Sequence, residues 1–309
     1  MTTLIYETVH GSRAYGLARA GSDTDLKGVL VGPAAWYHGF RGGPEQVELG
    51  PDHVRYEIRK LFRLLAASNP TLLELLWTDP EHHRAMTPAG ERLLASRALF
   101  LSLQVADTFG GYALSQLKRI RGHRAWLLQP PDGPPRRGDF GLPERTVLPK
   151  DQLGAAQALL DRDDGDLSDS LSANFLDLLD RERRYRSAKA NWKQYQTWLS
   201  QRNAARAALE AEHGYDTKHA MHLVRLQRMA VEILESGSVR VRRDDRDELL
   251  AIRDGAWSYD ELLEQSERLA ASIRVARAAS SLPKRPDADQ LDALCQSLVE
   301  QTLREGSTP

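Results

Sequence analysis

Two short clusters near the start of the chain hold residue types suited to phosphate and metal chemistry: Gly11-Ser12-Arg13-Ala14-Tyr15-Gly16 and Gly21-Ser22-Asp23-Thr24-Asp25. A Gly-Ser turn at a helix start offers backbone N–H groups and a hydroxyl to a phosphate chain. Carboxylates at i and i+2 of a strand point to one face, about 6 to 7 Å apart at the backbone. Such a pair can share two Mg²⁺ ions, one activating an attacking hydroxyl and the other holding a triphosphate leaving group. Mn²⁺ suits the same oxygen ligands. An isolated Asp-x-Asp is commonly a solvated turn, and an isolated Gly-Ser says less. Their combination, at this distance and between two strand-like segments, is what points to catalysis.

The surrounding segments must position these groups. Residues 3–8 (TLIYET) read as a strand entering a tight turn at His10-Gly11, and SRAYGLARAGS as a short helix and loop. LKGVLVG, opened by the aspartates, reads as a second strand. The Gly-rich residues 37–50 form a loop or hairpin, HVRYEI a third strand, and RKLFRLLAAS a helix that Asn69-Pro70 stops before TLLELLW begins. A third carboxylate normally completes the shell of the first metal. In HVRYEI, Val54, Tyr56 and Ile58 share a face assigned to the core, and Glu57 lies opposite with Arg55 and His53. Asp52 has the parity of the core face, so Glu57 is the chosen ligand.

GSRAYG…GSDTDLKGVLV resembles the signature of the polymerase-β-type nucleotidyltransferase superfamily. YEIRKLFRLLAASNPTLLELLW and GYDTKHAMHLVRLQRMAVEIL extend the likeness to a bacterial and phage family associated with RNA repair and RNA ligases, over most of residues 5–285. The resemblance implies transfer of a nucleoside monophosphate from a nucleoside triphosphate, with pyrophosphate released. It places Ser12 on the triphosphate, Asp23 and Asp25 on the metals, and Glu57 in a shared segment. An RNA end is the expected acceptor, and an RNA ligase or another repair protein the expected partner. The fold implied is α+β: a small mixed β-sheet nucleotidyltransferase domain (1–105), then a mostly α-helical domain (106–285) and a C-terminal helix and tail (286–309).

Later residues extend the site. Asp216 is a good N-cap. From there Lys218, His222 and Arg225 fall at i, i+4 and i+7, a face that suits nucleotide or RNA phosphates. With Gly11, Ser12 and Arg13 they make up the expected nucleotide-binding set; the plain alternative for the stripe is a solvated helix face. His219 and His222 lack a nearby third ligand for zinc. Glu74, among leucines, needs a cationic partner, for which Arg59 or Lys60 is at hand. Two basic and aromatic stretches, Lys118–Trp126 and Arg183–Lys193, could grip a single-stranded RNA end or be solvated helix faces. The Pro/Gly-rich residues 129–150 read as a linker or a loop over a site, with Arg136-Arg137 able to close on a nucleotide. Helical runs follow at about 151–211, 216–236 and 244–280, with a short helix at about 287–304.

The chain has 309 residues, 42 Lys and Arg against 43 Asp and Glu, and the single cysteine Cys295, so a wholesale basic coat and an intramolecular disulfide are both excluded. No apolar run is long enough to span a bilayer and no signal peptide is visible, so a cytoplasmic, membrane-free protein is expected. Two other readings stay open: an antitoxin-like enzyme that nucleotidylates a protein side chain, and a nucleotide- or RNA-binding module with a relict site.

Overall fold

The β-branched and aromatic residues of TLIYETVH form strand β1 (Thr3–His10), almost wholly buried. The computed structural model describes residues 2–146, 173–202 and 204–306. β1 pairs antiparallel with β2 (Asp25–Val31) on one side and with β5 (His83–Met86) on the other. β2 pairs in parallel with β4 (His53–Glu57), and β4 antiparallel with β3 (Gln46–Gly50). The sheet is therefore mixed, in the order β3-β4-β2-β1-β5. The Gly-rich stretch at 37–50 supplies the first strand of a hairpin.

Helices α1 (Gly11–Ala14), α2 (Ala35–His38), α3 (Ile58–Ala66), α4 (Pro70–Leu76) and α5 (Pro88–Ala95) are interleaved with these strands. α3 buries Ile58, Leu61, Phe62 and Leu65, a helical stripe. α4 starts where the sequence predicts: Asn69 Oδ1 accepts from Leu72 N at 3.3 Å, and Pro70 occupies the first turn. With Leu72, Leu73, Leu75 and Leu76 all buried, α4 is a core helix. The Tyr6 hydroxyl donates to Leu75 O at 3.0 Å, which ties α4 to β1.

The rest of the chain is helical: α6 (Gln104–Leu128), α7 (Ala173–Gln201), α8 (Ala204–His213), α9 (Thr217–Ser236), α10 (Arg246–Arg253), α11 (Tyr259–Ala279) and α12 (Ala288–Glu305). Asp216 caps α9, accepting from His219 N at 3.0 Å, and Gly237 ends it at φ +64°. The run expected at 244–280 is two helices, because Gly255 adopts φ +87° and Ser258 with Glu261 then caps a new start. The 129–150 loop is described as far as Thr146. Its last residues and the helix expected over 151–172 lie outside the described residues. Arg137 pairs with Glu182 and stacks on Tyr185, its guanidinium carbon 5.3 Å from the ring centroid, so it is engaged within its own region and not held open for a nucleotide.

The chain forms two compact units, Met1–Ile120 with Asp216–Pro309, and Arg121–Tyr215. In the first, α9 packs on α10 and α11, while α12 returns to α3 and α5. An N-terminal mixed sheet and a mostly helical remainder make the fold α+β. Among the described residues, no helix is long and apolar enough to cross a membrane.

Candidate active site

The site is built on the turn between β1 and α1. Gly11 has φ +66°, a region that disfavours side chains, and a Cβ there would lie 1.9 Å from Asp25 Oδ2. His10 pairs with Asp25 across the ladder, so the Asp25 carboxylate lies directly against the Gly11 turn. Ser12, the next residue, is partly exposed beside it.

Asp23 sits in the loop before β2 and is exposed. Arg13 holds that loop: its Nη2 donates to Ser22 O at 2.8 Å and its Nε to Asp23 O at 3.3 Å. Arg13, expected on the nucleotide, thus grips the backbone under the first aspartate.

The carboxylate that the structure sets beside Asp25 is that of Asp52. The parallel register sets Leu26 opposite His53, and Leu26 N donates to Asp52 O at 2.7 Å, so Asp52 falls beside Asp25 at the same end and on the same face. Burial raises the Asp25 carboxyl above its ordinary range, Lys27 and Lys218 pull it down, and the neighbouring charges of Asp52 and Asp23 push it up. Glu57, chosen from sequence, is elsewhere. It pairs with Leu30, five strand positions beyond Asp52 and so roughly 16 Å away. Its buried carboxylate caps α3, accepting from Arg59 N at 3.0 Å and from the Tyr37 hydroxyl at 3.1 Å. Strand parity does not single out Glu57 because Val54 and Tyr56 are only half-buried: their face is shared with Lys27 and Val29, and hence with Asp25.

Of the three residues expected on α9, one, Lys218, acts on an aspartate of the candidate site. Lys218 is exposed and acts on Asp25. His222 is half-buried; desolvation, then Arg225, Lys218, His219 and Arg253, hold its imidazole well below the ordinary range, so it is neutral. Arg225 is committed elsewhere. It is buried, its Nη1 lies 2.6 Å from Glu74 Oε1, and its guanidinium carbon lies 3.9 Å from the Tyr15 ring centroid. The Tyr15 hydroxyl donates to the other Glu74 oxygen at 2.5 Å. Glu74 therefore takes Arg225 and Tyr15 as partners, in place of Arg59 or Lys60. Burial would raise its carboxyl, but Arg225, His10 and these hydrogen bonds outweigh that and hold it low. His10 is pushed down to about 3 by burial and by Lys27.

Lys27, two residues past Asp25 and half-buried, is not evident from the sequence. Burial lowers its ammonium, while Glu74 and Asp25 favour its charge. The i+2 spacing from Asp25 is the signal that could have found it. A further group, Asp79, Glu81 and His82, holds ligand atoms within 4.8 Å of one another, but Arg242 lies 3.5 Å from Asp79 and 3.0 Å from Glu81 and already balances its charge.

Three comparisons bear on this site. No solved structure matches the chain. The chain is 34% identical over 91 residues to the uncharacterized protein YcgL of Bacillus subtilis (strain 168), a match covering 28% of the chain and 35% of that protein. The chain thus spans about a third of the length of this curated relative. Residues 1–126 match the RNA repair pathway DNA polymerase beta family, a stretch that contains the Gly11 turn, all three aspartates and Glu74. Over that stretch, which is less than half of its length, the chain is similar to the RNA repair pathway DNA polymerase beta family.

Proposed function

We propose that this protein transfers a nucleoside monophosphate from a nucleoside triphosphate to a hydroxyl group, releasing pyrophosphate, and that the hydroxyl belongs to an RNA end. The observation that carries this reading is the position of Asp25, set against a side-chain-free turn and influenced by Asp23, Asp52, Lys27 and Lys218 together.

The donor set fits Mg²⁺: the candidate ligands are carboxylate oxygens, the hard donors it takes, and the mutual repulsion felt by Asp25 is what a divalent cation relieves. Asp23, Asp25 and Asp52 would hold it. When bound, such an ion neutralises phosphate charge and lowers the pKa of a hydroxyl on it. The chain's own residues do the rest. Ser12 offers its hydroxyl to the triphosphate and the Gly11 turn allows close backbone approach. Lys218 adds a positive charge beside Asp25, and the neutral His222 can donate or accept a hydrogen bond. Arg13 fixes the Asp23 loop, and the Glu74–Arg225–Tyr15 network holds the end of α1 to α4 and α9.

The test is incubation with α-labelled nucleoside triphosphates, Mg²⁺ and RNA with free 3′ hydroxyls. Label on RNA, lost in Asp25→Ala and Asp52→Ala, is the expected result. Label on protein would favour the side-chain-modifying reading, and nucleotide binding without transfer by calorimetry would overturn the enzyme.

A further inference from the structure

Within the unit Arg121–Tyr215, charge is segregated along one helix. From Arg183 to Arg202 the chain carries Arg183, Arg184, Arg186, Lys189, Lys193 and Arg202, and not one Asp or Glu. The acids come just before, and they are engaged: Asp177 with Arg181, Asp180 with Arg184 and Glu182 with Arg137. Arg186, Lys189 and Lys193 fall at i, i+3 and i+7, all exposed, and form no ion pair among the described residues. A helix that only had to be solvated gains from acids spaced i, i+4 to its cations; excluding them over five turns concentrates positive potential instead.

An aromatic row starts beside that stripe at Trp192 and turns away from it around the helix. Trp192, Tyr195 and Trp198 follow one another along α7, with ring centroids 5.6 Å and then 5.8 Å apart. Trp126 of α6 backs the row at 5.7 Å from Tyr195 and 5.5 Å from Trp198. Trp192 and Tyr195 remain half-exposed, so each keeps ring surface for another planar group. Trp198 is buried, yet its Nε1 has no hydrogen-bond partner among the described residues.

We propose that this face of α7 binds single-stranded RNA, with phosphates along Arg186, Lys189 and Lys193 and a base stacked on Trp192. Cations in line beside aromatic faces are the pairing that a single strand needs, because its backbone carries the charge and its unpaired bases offer their planes. A duplex would use the cations and leave the rings idle. The proposal rests on the reading above only in its choice of RNA; binding needs neither nucleotide nor metal.

The experiment is fluorescence anisotropy of the full chain with a fluorescein-labelled oligouridylate of about 12 nucleotides, within the usual site sizes. It is run without triphosphate or divalent ion and over a salt series. Lys189→Glu/Lys193→Glu should weaken binding at least about tenfold and cut the slope of log Kd against log salt by about 1.4, two single-strand phosphate contacts at about 0.7 each. Trp192→Ala should weaken it about 5- to 100-fold, Trp192→Phe should restore most of it, and duplex RNA should compete poorly. Asp23→Ala/Asp25→Ala should bind as the wild type does, so loss of catalysis and loss of this surface read out separately. The exposed lysine pair keeps the test sound if Trp192→Ala unfolds. No binding by the wild type, an unchanged slope in the lysine variant, equal affinity for duplex, or preference for anionic vesicles over the oligonucleotide would overturn the proposal.

Discussion

The Asp25 carboxylate occupies the space that a side chain at position 11 would need: a Cβ on Gly11 would come within 1.9 Å of Asp25 Oδ2. The turn that presents Ser12 and the strand that presents Asp25 are thereby fitted to each other by the absence of one carbon. Gly11→Ala should cost about 1 kcal/mol or more from its φ of +66° alone and also displace the carboxylate. A small fall in melting temperature beside a loss of nucleotidyl transfer of about 100-fold, the scale of an ångström-level misplacement, is the expected result. Equal activity in the alanine variant would dissociate the turn from the site.

Asp52 and Glu57 should behave oppositely. Asp52→Asn removes a carboxylate from the cluster around Asp25 and should lower transfer and Mn²⁺ affinity with little change in stability. Glu57→Ala removes the cap of α3 and the acceptor for Tyr37, so it should cost about 1 to 3 kcal/mol in urea unfolding. The folded fraction should still catalyse. Thermal melts and turnover on the same two preparations decide the matter.

Breaking the buried pair from one side should be severe. Arg225→Met leaves Glu74 buried beside Tyr15 without its cation, a loss of about 3 to 5 kcal/mol. Pairing it with Glu74→Leu should recover most of that loss, since two apolar side chains can replace a buried ion pair. Denaturant unfolding of the two single variants and the double variant measures the coupling directly.

Acid should destabilise the fold through His10. Its folded value of about 3 lies below the ordinary 6.5, so the unfolded chain takes up a proton that the native site refuses. The stability it contributes is complete above about pH 6.5 and is lost as pH falls toward 3. From pH 7 to 5 this one group should account for about 2 kcal/mol. Glu74 acts in the same sense but lower, because its depressed carboxyl protects the fold above its unfolded value of 4.5 and fails beneath it. Urea midpoints at pH 7 and 5 should therefore differ less in His10→Gln than in the wild type.

Much of the candidate site's geometry could be read from spacing. Gly11-Ser12 and Asp23-x-Asp25 declare themselves because turn chemistry and strand period are local, and Asn69-Pro70 and Asp216 mark helix starts for the same reason. Asp52 could not be read that way. Its place depends on β4 lying parallel to β2 with Leu26 opposite His53, a pairing between segments that no local pattern encodes. Parity alone then favoured Glu57, since Val54 and Tyr56 look like core residues and are only half-buried. Glu74's choice of Arg225 over the nearby Arg59 is likewise a fact of packing between α4 and α9.

The order of elements along the chain has a consequence for how the protein is made. The unit that holds the sheet is closed by Asp216–Pro309, after the chain has passed through Arg121–Tyr215. On the ribosome the sheet, the Gly11 turn and the aspartates emerge early, while Glu74 has no Arg225, and α3 and α5 no α12 to cover them. Synthesis at roughly 5 to 20 residues per second leaves that half-built unit waiting for several seconds. The unit Arg121–Tyr215, local in its contacts, is free to fold meanwhile, so completion of the sheet-bearing unit is timed by the segment inserted into it.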